Sequence, residues 1–436
     1  MLINFEFENF KSYKSNTEFS MLAGKGLRRL PENTLQFNKT TSNESLKLLK
    51  NSILFGANGS GKSNFIEALR FLKVLLSRPT KKSTDRVLKS SFLLDDYSMK
   101  KPSSFTIEFL INKIQYRYSL KYSDTEILEE KFEYYNKGKY IVHFERLFNE
   151  FIKVPNELVE ESKKTRNNVL FAYVAQDKND KHAINLYRWF FIKLQFVDGH
   201  LEYDEISNLE EAINNPKKKK EFIKFLNLCD INIIDIEITH EKVPKEVVSV
   251  FSQFIDIITN ENEFDIDFDE VKRERPKLHL IYKKINEDSN NVGHQIIKYE
   301  DESEGTKKII KLVLYLLINS TKGNVLFLDE FDDSLHLNLS KLMISLFNKT
   351  NKNSQFIVTS HQLLLMDTDL RKDQIYFAEK LFDGSSELYS IFDFVDENHG
   401  KRSDITMFKR YMQGVYGAIP NVTFEALDSL IEKGDQ

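Results

Sequence analysis

The strongest chemical signal in the chain is the octet Gly56-Ala57-Asn58-Gly59-Ser60-Gly61-Lys62-Ser63. It fits G-x-x-x-x-G-K-[ST], with a short apolar run before it (Ser52-Ile53-Leu54-Phe55) and helical spacing after it at Phe65, Ile66, Leu69, Leu72 and Leu76. Glycines let the backbone turn tightly, so that successive N–H groups point into one concavity. With the N-terminus of the following helix, that concavity is an anion site suited to phosphates. Gly56, Asn58, Gly59 and Gly61 are the positions that would line it. Lys62 would reach the β- and γ-phosphates, and the Ser63 hydroxyl would ligate Mg²⁺.

Three further segments add chemistry. Val325-Leu326-Phe327-Leu328 reads as a buried strand, and Asp329-Glu330 stand at its C-terminal end. Ligands bind at that end in open α/β sheets. Asp329 would hold a metal through water, and Glu330 would orient and deprotonate an attacking water. Ser303-Glu304-Gly305-Thr306 opens a helix: Ser303 suits an N-cap and Gly305 permits close approach of another group. His361 follows the apolar strand Phe356–Val358 and could contact a γ-phosphate.

These segments need elements to hold them. Short apolar strands followed by helices recur from residue 277 onward, which is the signal of a parallel α/β sheet. Residues 104–147 alternate and are rich in aromatics, so they predict an antiparallel sheet. Leu2–Phe7 and Glu18–Leu22 predict a hairpin, and residues 23–50 a loop with some helix. Residues 155–270 read as mostly helical, with a basic run at Lys217–Lys220 and an acidic one at Glu261–Glu270. The expected organisation is one lobe over 1–150, a helical insertion over 151–295 and a second lobe over 296–436.

The 436 residues carry 62 Lys and Arg against 66 Asp and Glu, a net charge of −4. That balance excludes a histone-like wrapper or a polybasic tail. A single cysteine, Cys229, excludes an intrachain disulfide or a Cys-based zinc finger. The longest apolar run, Ile309–Ile318, is interrupted by Lys311 and is shorter than the ~20 residues a membrane span needs. A cytoplasmic protein with no membrane partner is expected.

The order of P-loop, Ser-x-Gly helix, apolar strand with Asp-Glu and strand with His resembles the ABC-type ATPase heads of the SMC, RecF and OLD families. The resemblance implies an α/β P-loop NTPase head with an antiparallel β subdomain and a helical insertion, acting on ATP with Mg²⁺. It implies that Ser303 and Gly305 form the signature that binds the γ-phosphate of the opposite subunit's ATP, although relatives usually carry two glycines where this chain has Glu304-Gly305-Thr306. Glu330 is similar to the catalytic glutamate, Phe331-Asp332-Asp333 to the D-loop and His361 to the switch histidine. Gln176, behind the apolar run Val169–Ala175, is the candidate Q-loop ligand of the metal. Two heads would pair around two ATP molecules as a homodimer, or build a higher oligomer.

Phe7-Glu8-Asn9-Phe10-Lys11-Ser12-Tyr13 resembles the opening of RecF-like ATPases. Leu186–Phe190 and Lys409–Pro420 are similar to segments of the compact bacterial ATPases of the RloA, AbiL and PARIS type. This second resemblance implies anti-phage defence, with ATP turnover controlling an effector such as a nuclease or toxin. Only 75 residues follow His361, so that effector is expected on another chain. The competing expectation is a RecF- or SMC-like ATPase acting on DNA in repair. A DNA-facing surface would draw on Lys100-Lys101, Lys163-Lys164-Arg166 or Lys217–Lys220, none of which interleaves with aromatics.

Overall fold

The computed structural model describes residues 1–38, 45–242, 274–287, 291–319, 323–349, 353–394 and 406–418. The acidic run Glu261–Glu270 lies outside them, as do Ile419 and Pro420. The chain divides into two compact units, Met1–Asp198 with Thr321–Gln436, and Gly199–Ser320.

The first unit is an α/β P-loop head. Its central sheet runs in the order Leu194–Val197, Val325–Leu328, Gln355–Ser360, Asn51–Phe55, Ile375–Lys380 and Ser386–Ser390. The first five strands are parallel and the last is an antiparallel edge. The three middle strands are buried on both faces, which is why their sequences are continuous apolar runs rather than alternating ones. Register places Leu328 beside Val358, and Val358 beside Ile53. The C-terminal ends of these neighbours therefore present the octet, Asp329-Glu330 and Ser360-His361 along one edge of the sheet.

A seven-stranded antiparallel sheet makes the β subdomain, ordered from Glu150–Lys153 through Lys139–Leu147, Ile127–Asn136, Ile114–Tyr122, Ser103–Ile111 and Leu2–Glu8 to Thr17–Ser20. Ser103–Ile111 alternates buried and half-buried along its whole length, as its period-two pattern requires. Phe65, on the helix Lys62–Ser77 that follows the octet, stands 6.3 Å from Phe5 and Phe7 of this sheet and 6.2 Å from Phe327 of the parallel one. The helix is thereby wedged between both sheets. Among the described residues of 23–50 are a two-stranded sheet, Thr34–Asn38 with Leu49 back to Ser45, and one short 3₁₀ turn at Pro31–Asn33.

A buried ion pair fastens the antiparallel sheet to its neighbours. Arg146 Nη2 lies 3.1 Å from Glu130 Oε2, with both side chains almost wholly excluded from solvent. Glu130 also accepts from Tyr118 Oη and from the backbone N–H groups of Phe171 and Ala172, at the start of the helix Phe171–Asp177. Arg146 donates to the Val169 carbonyl. Removing one partner of such a pair strands a charge, so Arg146→Met should cost about 3–5 kcal/mol in a urea melt.

The second unit is not only helical. Helices Tyr203–Ile213, Pro216–Leu228 and Glu304–Leu314 accompany an antiparallel sheet of Ile233–Lys242, Glu274–Ile285 and Asn291–Lys298. The strand at Ile233 runs against the expectation of helix, because its isoleucines are short-range ambiguous and its pairing partner is more than thirty residues away. Lys311, the charge inside the apolar run, is buried; its ammonium donates to the His200 carbonyl and pairs with Glu205 at 3.0 Å. The basic run Lys217–Lys220 forms the first turn of the Pro216 helix, capped by the Asn215 side chain.

Candidate active site

The octet makes a strand–loop–helix turn. Gly61 has φ +110°, in the left-handed region that favours glycine, and a Cβ there would strike the Ser386 hydroxyl at 2.5 Å. At Gly56 a Cβ would collide with the Ala378 carbonyl oxygen. Both glycines therefore let the loop lie against the hairpin of Ile375–Lys380 and Ser386–Ser390. The N-terminal segment braces the other side: Tyr13 Oη donates to the Gly61 carbonyl at 3.1 Å, and Ser386 N–H donates to the Ser12 carbonyl at 2.7 Å. Asn58, Gly59 and Ser63 remain exposed.

Lys62 is buried, and its ammonium donates to the carbonyls of Gly56 at 2.9 Å and Ala57 at 3.0 Å. Burial lowers its pKa, opposed by the carboxylates of Asp329, Glu330 and Asp332 nearby. The cation is thus held under the loop with only neutral acceptors in contact, the arrangement a phosphate would complete.

Asp329 and Glu330 are clamped by a residue that the sequence reading passed over. The Thr359 hydroxyl donates to Asp329 Oδ1 at 2.5 Å and accepts from the Glu330 N–H at 2.7 Å. Glu330 has φ +46°, a left-handed conformation that costs a non-glycine residue roughly 1 kcal/mol or more and recurs at active sites. The strain turns a half-exposed carboxylate out from the strand end. His361 Nε2 stands 3.7 Å from Glu330 Oε1, close but beyond hydrogen-bond range. The following residues are tied to the same segment: Phe331 N–H donates to the Thr359 carbonyl, and Gln362 N–H donates to Asp332 Oδ2 at 3.1 Å. Two residues meeting at adjacent strand ends carry no local sequence signature, which is why Thr359 was not legible.

Thr359 is a positioning residue. Thr359→Val should lower kcat by about 10–100-fold with KM little changed, and Thr359→Ser should restore most of it, because only the hydroxyl is needed. Steady-state kinetics of both variants check this.

The Ser63 hydroxyl and the Asp329 carboxylate are hard oxygen donors of the kind Mg²⁺ takes, and Mg²⁺ needs few protein ligands when phosphates supply the rest. Ser303 caps the helix Glu304–Leu314 in the second unit: its hydroxyl accepts from the Thr306 N–H at 3.2 Å, and both Ser303 and Glu304 are exposed. The proposed signature residues are thus a solvent-facing helix start.

Gln176 does not hold the position assigned to it. The run 169–175 is not a strand: Phe171–Asp177 is a helix, and its first N–H groups dock on Glu130. Apolar runs of this length fit a helix or a strand equally well. No hydrogen bond from the Gln176 side chain to the octet or to Asp329-Glu330 occurs among the described residues. The strand at this edge of the parallel sheet is Leu194–Val197, and Asp198 follows it, paired with Arg70 at 2.5 Å.

Residues 52–367 match the family described as "AAA domain, putative AbiEii toxin, Type IV TA system". No curated protein matches the chain. Among solved structures, the SMC head domain from Thermotoga maritima is 16% identical, over 89% of this chain and 98% of that one, with a TM-score of 0.39. An SMC head bound to the C-terminal winged-helix domain of ScpA is also 16% identical, over 89% and 97%, at 0.41. An SMC head with an extended coiled coil, bound to the C-terminal domain of ScpA derived from Pyrococcus furiosus, is 14% identical over 89% and 96%, at 0.38. No helix among the described residues is long and apolar enough to cross a membrane. With the octet and the Asp-Glu pair at the ends of two parallel strands that flank Gln355–Ser360, and a family match over residues 52–367, the chain belongs to this AAA-domain family and is an ATPase.

Proposed function

We propose that the protein is a Mg²⁺-dependent ATP switch whose two-site form is a homodimer, and that it gates an effector in anti-phage defence in the cytoplasm. The observation that carries the hydrolytic part is the Asp329-Glu330 pair, fixed by the Thr359 hydroxyl one strand away from the P-loop. Gly56, Asn58, Gly59 and Gly61 cradle the phosphates with backbone N–H groups, Lys62 neutralises them, and Ser63 and Asp329 hold the metal. A Mg²⁺ ion held by Ser63 and Asp329 would offset the negative charge of the phosphates. Glu330 orients the attacking water and takes its proton; His361 supports the same side of the site. Gln176, on the helix that docks on Glu130, is given no role in this reading.

Ser303 and Gly305 belong to the other compact unit, and their exposed helix start suits the γ-phosphate of ATP held by a partner protomer. Two heads would then close face to face with twofold symmetry around two ATP molecules and part after hydrolysis at Glu330. The defence role is supported by the family's own description, which names a toxin and a toxin–antitoxin system. The effector, a nuclease or toxin, would be a separate chain.

The test is a pull-down of tagged Glu330→Gln from its host with ATP present, the retained material being identified by mass spectrometry and nucleic-acid staining. A stoichiometric nuclease- or toxin-like partner is expected. Retained DNA without such a partner would contradict it and favour a RecF- or SMC-like DNA clamp.

A further inference from the structure

The first unit contains a cavity of about 620 Å³, well away from the P-loop. Lys193, Gly323 and Asn353 line it. These residues precede the parallel strands Leu194–Val197, Val325–Leu328 and Gln355–Ser360. The cavity therefore opens at the N-terminal ends of the same strands that carry Asp329-Glu330 and His361 at their C-terminal ends. With about 3.3 Å per residue and four to six residues per strand, roughly 13–20 Å of sheet separates the two places.

Its lining has a definite chemistry. Lys193 and Lys113 supply positive charge, and no Asp or Glu is among the described residues that line it. Lys113 sits with φ +65° at the tip of the tight turn joining Ser103–Ile111 to Ile114–Tyr122, so its place at the rim is set by the hairpin. Gln115 turns its amide nitrogen to Glu108 at 3.2 Å and Tyr140 at 2.6 Å, while its Oε1 is buried without a hydrogen-bond partner. Phe37 and Tyr135 add flat apolar faces to the wall. The volume lies within the ~300–1,000 Å³ range of small-ligand sites.

We propose that this cavity binds a small ring-bearing anion of nucleoside-monophosphate size, with Lys113 and Lys193 on the anionic group and Phe37 and Tyr135 beside the ring. The site is distinct from the ATP site, and the inference does not rest on the defence reading. Because the ligand touches the starts of strands that end in the catalytic residues, its occupancy is expected to change the rate of ATP hydrolysis.

The test uses full-length protein carrying Lys62→Ala, which removes P-loop binding, titrated with AMP by calorimetry. Saturable binding is expected, weakened about tenfold or more by Lys113→Glu and by Lys193→Glu, the worth of one charge-assisted contact, and retained by Lys113→Arg. Lys113 is exposed on a turn, so its reversal leaves the fold intact even if that of Lys193 does not. Absence of saturable binding, equal affinity in the Lys113→Glu protein, or inorganic phosphate binding as tightly as AMP would each overturn the assignment. The Glu330→Gln pull-down reads a different property, so either result can fail without the other.

Discussion

Lys62→Ala is expected to bind ATP about 10²–10⁴-fold more weakly than the wild type. The ammonium is the one cation that this loop buries, and it is held by two backbone carbonyls that offer no charge. A triphosphate would replace neutral contacts with charge-assisted ones, worth about 1.5–3 kcal/mol each. Losing two such contacts removes about 3–6 kcal/mol, which converts to the stated range. Arginine should not rescue the loss. The Gly56 and Ala57 carbonyls receive a compact ammonium, and a planar guanidinium fork does not reproduce that point charge. Fluorescent-nucleotide titration of the Ala and Arg variants checks both expectations. Near-normal affinity in Lys62→Ala would remove the octet from the ATP site.

Glu330→Gln is expected to keep ATP binding within a few-fold of wild type and to lose turnover by about 10²–10⁴-fold, the usual contribution of a positioned general base. The amide preserves the side chain's size, and the backbone position is independent of it. That position is set by the Thr359 hydroxyl on the Glu330 N–H and by the Asp333 N–H donating to the Glu330 carbonyl at 3.0 Å. What is lost is the proton acceptor. Single-turnover hydrolysis with equilibrium binding on the same sample separates the two effects. Equal hydrolysis rates in variant and wild type would take Glu330 out of that role. A parallel loss of binding would instead mean that the carboxylate holds the strained turn at φ +46° together.

Whatever depends on neighbouring residues was legible in the sequence. The octet, the apolar strands, the Asp-Glu end and the alternating strands of residues 104–147 each state their structure within ten residues or so. Burial on both faces leaves Val325–Leu328 no choice but continuous apolar side chains, and half-burial forces alternation on Ser103–Ile111. Gln176 was misplaced because its preceding apolar run fits two periods, and the docking of the Phe171 helix on buried Glu130 decides between them. Glu130 is more than forty residues upstream, so no local pattern could report it. Thr359 was missed for the same reason, since its partners come from another strand. The sheet of the second unit pairs Ile233–Lys242 with residues beyond 273, a long-range contact that a helix-like composition conceals.

In the proposed dimer each ATP is held by the octet of one protomer and by Ser303 and Gly305 of the other. The direct measurement is the mass in solution of Glu330→Gln, by light scattering after size exclusion, with and without ATP and Mg²⁺, beside the double variant Glu330→Gln/Ser303→Arg. A shift from the 51.3 kDa monomer to about twice that mass is expected on adding ATP and Mg²⁺, reversed by EDTA and absent in the double variant. A Glu330→Gln protein that binds ATP and yet stays at the monomer mass, or that dimerises equally well with Ser303→Arg, would contradict it.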